Sequence, residues 1–174
     1  MTNGQKQCLL QFLGHYRGVI DGLWGPKSRE AADAFCRAAN CAPEDMERAL
    51  QAAVAQWQED TWTGARYFTA REFACKCGRY CDGHPAQVDR RLLGAADRVR
   101  EILGVPCVVS SGLRCSRHNA AVGGVANSRH LTGKAMDFCA VGKTAGEVLA
   151  VVRAQPEVRY AYAIDGSFVH MDVE

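Results

Sequence analysis

The segment Ser128-Arg129-His130-Leu131-Thr132-Gly133-Lys134-Ala135-Met136-Asp137 sets an imidazole and a carboxylate close together, and a second imidazole, His170, follows near the C-terminus. Two histidines and one carboxylate leave a fourth tetrahedral position open for water, which is what a catalytic zinc requires. Zinc held in this way lowers the pKa of its water towards neutrality and polarises a carbonyl under attack. On ligand spacing alone, histidines buried in a core or placed on a surface are the competing reading.

A second group lies upstream. Cys75, Cys77 and Cys81, followed by His84, form C-x-C-x3-C-x2-H. Thiolates and imidazole suit a structural zinc, so a second zinc at Cys75, Cys77 and Cys81 is one expectation. Free thiols, or a disulfide to Cys107, Cys115 or Cys139, are the others. The chain has nine cysteines, an odd number that excludes complete pairing within one molecule. In a reducing compartment the default is free thiols, several of them buried as small hydrophobes. No cysteine has a convincing local base for nucleophilic catalysis, and no carboxylate pair marks a glycosidase.

These residues need elements to position them. Pro106 to Ser111 and Lys134 to Val141 read as strands, while 87–103 and 144–154 read as helices. Val88, Leu92, Leu93, Ala96, Val99 and Ile102 form the expected buried side of the first of these helices. The C-terminal VRYAYAIDGSFVHMDVE holds two alternating runs around Asp165-Gly166, a dipeptide suited to a type I′ hairpin turn. Helix, strand, strand, helix and hairpin predict an α+β domain over 67–174, a small antiparallel sheet with flanking helices. Before it, residues 1–57 read as a small module of three helices, around 5–14, 27–39 and the stretch after Pro43. The segment from Gln58 loses helical periodicity, and 58–66 is read as the linker.

The segment SRHLTGKAMD resembles the S-x-H-x-x-G-x-A-x-D signature of the M15 family, the zinc D-Ala-D-Ala carboxypeptidases and related peptidoglycan peptidases. FVHMDV resembles that family's second histidine segment. The likeness implies that His130, Asp137 and His170 are the ligands of one catalytic zinc. SSGLRCSRHN resembles the family's S-G-x-R segment, which places Arg114 near the site, where a guanidinium would hold a carboxylate or the scissile carbonyl. His118 is read as structural or exposed.

The chain departs from the pattern in one respect. Several members of the wider family carry a Glu three residues before the last histidine, and here that position is Ser167. Asp172 shares the strand face of His170 and is the candidate general base or orienter of the site. A cross-strand ion pair with Arg159 is its structural alternative.

QKQCLLQFLGHYRGVIDGLWGPKSREAADAFCRA resembles the common three-helix peptidoglycan-binding module. Asp21-Gly22 would make its turn, Trp24 would plug its core and Ser28 would cap the next helix. Together the two resemblances imply a zinc metallopeptidase that cuts bacterial peptidoglycan, as a phage or prophage endolysin does. The alternative is a metal-containing wall-binding protein without turnover.

The bulk numbers agree with this. The net charge of +2 over 174 residues, with no Lys/Arg run, argues against a nucleic-acid partner. No stretch is apolar enough for membrane insertion. MTNGQKQCLL lacks the features of a signal peptide, so synthesis in the bacterial cytoplasm and action on the wall after release are expected, as a monomer.

Overall fold

The computed structural model describes residues 1–77 and 87–174. Helix α1 (Asn3–Phe12) opens with a capping box, in which Thr2 Oγ1 accepts from Gln5 N and the Gln5 side chain accepts from Thr2 N. Helix α2 (Pro26–Ala39) follows, then a 3-10 turn (Pro43–Asp45) and α3 (Met46–Thr63). Their apolar faces meet in one cluster that includes Leu9, Leu10, Phe35, Leu50 and Val54.

The link between α1 and α2 is organised by Gln7, which is fully buried. Its Nε2 lies within hydrogen-bond distance of Asp21 Oδ1 (2.9 Å), Leu23 O (2.9 Å) and Ser28 Oγ (3.0 Å), and its Oε1 accepts from Gly22 N at 2.8 Å. The turn at Asp21-Gly22 is as expected, with Gly22 at φ 76°. Two expectations change. Ser28 does not cap α2: it is buried with its hydroxyl on Gln7 and Leu23 O, and α2 begins on Gly25 with Pro26 in its first turn. Trp24 is half-buried at the rim of the cluster instead of plugging it, with Lys6 Nζ 4.7 Å from its ring.

The stretch from Gln58 to Thr63, read from sequence as non-helical, is the end of α3. Its aromatics explain the lost periodicity, since they serve two packing partners. Trp57 meets Phe12 edge-on at 4.5 Å, whereas Trp62 packs against Phe73 and the second core.

That second core lies under a four-stranded antiparallel sheet. After α4 (Ala70–Phe73) come α5 (Arg90–Leu103), β1 (Cys107–Ser111), α6 (Ser116–Ala121), a 3-10 helix (Arg129–Thr132), β2 (Ala135–Ala140), α7 (Ala145–Arg153), β3 (Val158–Ala163) and β4 (Val169–Val173). The strand order is β1-β2-β4-β3, so β2 and β4 are central. The expected α+β class is what the chain adopts. Side chains alternate between sheet faces. Met136 and Phe138 of β2 and Val169, Met171 and Val173 of β4 join Val88, Leu92, Val99 and Val148 in the core. Asp137, His170 and Asp172 alternate with them and take the opposite face. Ile102 departs from expectation: it is 61% exposed, one helical turn beyond the buried stripe.

The final hairpin also differs. Ala163 pairs with Val169, so residues 164–168 form the loop in place of a two-residue turn at Asp165-Gly166. Asp165 makes it by a side-chain turn, its Oδ1 accepting from Ser167 N (2.7 Å) and Phe168 N (2.8 Å). No helix among the described residues is long and apolar enough to cross a membrane.

Candidate metal centre

One register row across the sheet assembles most of the site. Ser111 of β1 stands opposite Asp137 of β2, Asp137 opposite His170 of β4, and His170 opposite Tyr162 of β3. His130 enters from above, on the 3-10 helix whose first hydrogen bond is Ser128 Oγ accepting from His130 N. This helix ends at Gly133 with φ 68°, and a Cβ there would lie 1.7 Å from Gln87 O. Only glycine lets the chain turn so tightly against that carbonyl, which explains the glycine in the SRHLTGKAMD pattern.

His130, Asp137 and His170 are all buried, and their donor atoms lie within 4.8 Å of one another. His170 Nδ1 is 2.7 Å from Asp137 Oδ1 and 3.3 Å from His130 Nε2, and His130 Nε2 is 3.2 Å from Asp137 Oδ1. Donors about 2 Å from a tetrahedral zinc stand about 3.3 Å apart. The trio therefore fits such an ion in spacing, and two imidazoles with one carboxylate fit it in chemistry.

The atoms turned away from the centre are held as well. His130 Nδ1 donates to Gly112 O at 2.7 Å. His170 Nε2 is 3.5 Å from Asp172 Oδ2. Arg114 Nη2 donates to Asp137 Oδ2, and Arg114 Nε donates to Ser111 Oγ at 2.7 Å. Each donor thus has an outer partner that fixes its orientation, the arrangement that metal-binding histidines ordinarily show. Burial alone would raise the Asp137 carboxyl, but hydrogen bonds from His130 and His170, with the Arg114 charge, hold it well below the usual carboxylate range. It is therefore a carboxylate across the physiological pH range.

Asp172 stands in a pair with Arg159, Nε to Oδ1 and Nη2 to Oδ2 both at 2.9 Å, while its side chain is 5% exposed. The 164–168 loop sets the register that puts Tyr160 opposite Asp172, and the irregularity between Val158 and Tyr160 falls at Arg159, whose side chain still reaches Asp172. The structural alternative for Asp172 is thus present together with its contact to His170. His118 is half-buried on α6 and does not line the cleft over the site.

That cleft, about 420 Å³, is lined by Arg114, Arg129, Arg159, Tyr160 and Tyr162 around the buried trio. Tyr162 stacks on His170 with ring centroids 4.9 Å apart. Sequence reasoning missed Tyr162 and the Gly112 carbonyl. Tyr162 was visible only through its place in the hairpin register, and a backbone carbonyl leaves no mark in a sequence.

No curated protein matches the chain. The family model described as Peptidase M15 matches residues 66–172, which contain β1, β2, β3, all of β4 but Val173, and every residue of this site. The chain belongs to the peptidase M15 family, and is a metallopeptidase by family.

Proposed function

We propose that His130, Asp137 and His170 hold one catalytic zinc and that the protein hydrolyses a peptide bond in bacterial peptidoglycan. The observation that carries this reading is the buried trio with an outer partner on every donor, at the floor of a cleft rimmed by guanidinium groups. Zinc bound there would bring its water's pKa towards neutrality and polarise the scissile carbonyl. Arg114 holds the Asp137 carboxylate in line and presents its charge to the cleft, where it would bind a substrate carboxylate or the carbonyl oxygen. Arg129 and Arg159 add to the positive rim, which suits stem peptides bearing free carboxylates. Tyr160 and Tyr162 supply an aromatic wall.

Asp172 acts as the orienter of His170 and not as the base, because Arg159 already engages both of its oxygens. Residues 1–57 form a wall-binding module joined through the residues around 58–66 to the peptidase region 67–174. The pairing is that of an endolysin acting on the wall.

The specific test is mass spectrometry of fragments released from purified peptidoglycan, with chelator and with zinc restored. New peptide termini that vanish with chelator and return with zinc establish the reaction and identify the bond. The second reading, a metal-containing wall-binding protein without turnover, is favoured by one observation: among the described residues lining the cleft, both carboxylates, Asp137 and Asp172, are already engaged. Intact peptides from several wall types, together with retained sedimentation on whole walls, would establish it.

A further inference from the structure

A second group of metal-type donors lies on the other side of the Gly112–Arg114 segment. The sulfurs of Cys75, Cys77 and Cys115 all lie within 4.8 Å of one another. The sequence pattern grouped Cys75 and Cys77 with Cys81, which, like His84, lies outside the described residues. The fold brings in Cys115 in its place among those described.

The approach is built by the backbone. Leu113 N donates to Phe73 O at 2.8 Å, Cys115 N donates to Cys75 Sγ at 3.3 Å, and Lys76 Nζ donates to Val109 O at 2.6 Å. At Gly112 a Cβ would lie 2.6 Å from Phe73 backbone atoms, so the two segments touch where only glycine fits. Cys115 is buried and also opens α6, its sulfur accepting from His118 N at 3.4 Å. Cys75 and Cys77 are half-buried.

We propose that Cys75, Cys77 and Cys115 ligate a second, structural cation of the thiolate-preferring divalent class, for which zinc is the probe. Three sulfurs at this spacing are the larger part of a four-coordinate thiolate zinc site. A cation bound there would take the sulfurs in their deprotonated form, with release of protons.

The site has a definite task. It pins residues 73–77 to the loop that carries the Gly112 carbonyl, which orients His130, and Arg114, which holds Asp137. The thiolate cation is therefore a staple under the outer partners of the histidine–aspartate centre.

The test uses the full-length reduced protein, stripped of metal and reloaded with zinc or cobalt(II). Wild type is expected to take up about one equivalent more than either Cys77→Ser or Cys115→Ser, with sulfur-to-cobalt charge-transfer absorption that both variants lose. Cys77→Ser removes a half-buried side chain and guards against a folding failure of Cys115→Ser; circular dichroism checks both. Asp137→Ala is expected to keep the absorption, so failure of the peptidase reading leaves this result standing. Absorption that persists in both serine variants, or is absent from wild type, overturns the proposal. So does a Cys75–Cys115 disulfide trapped by alkylation of freshly isolated protein.

Discussion

Gln7 and His130 are two polar side chains removed almost wholly from water, one among the N-terminal helices and one over the open face of the sheet, and their surroundings differ in one respect. Every polar atom of Gln7 is answered by the link to α2 and the start of α2: Nε2 by Asp21, Leu23 O and Ser28, Oε1 by Gly22 N. The network closes on itself and its product is a loop conformation. His130 is satisfied only on its outer side, by Gly112 O, while its Nε2 converges with His170 Nδ1 and Asp137 Oδ1 beneath an open cleft. Burial of polar groups is costly in both places. In the first the cost is offset by complete internal pairing, and in the second it is offset only in part, with lone pairs left pointing at one position. A buried polar group thus marks a site by the direction in which its unmet valence points.

The sharpest way to break this contrast is to remove a convergent donor. Asp137→Ala is expected to reduce peptide release from peptidoglycan to background and to abolish zinc uptake at the histidine centre, while circular dichroism stays native. Retained hydrolysis would remove the centre from the reaction. Asp172→Asn comes next. As an orienter of His170 its loss should weaken zinc binding by about 10–100-fold, with activity recovered at high zinc. If turnover instead fails at saturating zinc, Asp172 is the base.

Gln7→Leu tests the closed network. It strands several buried partners and is expected to cost about 1–3 kcal/mol in urea denaturation, with specific activity of the folded protein unchanged. An activity loss as large as that of Asp172→Asn would show that the two networks are not separate. Tyr162→Phe is the mildest change. It keeps the stacked ring on His170 and removes only a hydroxyl at the cleft, so kcat/KM should fall less than about tenfold, since one net hydrogen bond is worth about 1 kcal/mol. A larger fall would give the hydroxyl a direct part in the chemistry.

The strands and long helices were legible because their signals are local. Alternation marks β3 and β4, Asp89 and Gly104 bracket α5, and a capping box from Thr144 to Glu147 opens α7. The trio was named through the likeness of SRHLTGKAMD and FVHMDV to the M15 segments, since spacing alone left ordinary buried or surface histidines as a competing reading. What the sequence hid depends on distant backbone. Short α4 and α6, the 3-10 helix beneath His130, the Gly112 carbonyl and the approach of Cys115 to Cys75 and Cys77 are tertiary arrangements with no periodicity of their own. Asp165-Gly166 misled for a related reason: the side chain of Asp165 satisfies two amides and supports a longer loop than the dipeptide suggests. Gln58 to Thr63 misled because one helix end serves two cores.

Leu131, the residue after His130, is 1% exposed and belongs to the cluster formed by α1, α2 and α3, so the short helix that carries His130 is rooted in the N-terminal helices. Whatever rigidifies His130 therefore also restrains the floor on which α1 rests. The relation runs both ways, because coupling free energy between two sites is reciprocal. If the helical region binds wall and the trio binds metal, as proposed, a wall fragment that tightened the helices would raise affinity at the metal by the same factor by which metal raised affinity for the fragment. Attachment and readiness to cut would then be two readings of one equilibrium, passed on in part by the packing of Leu131.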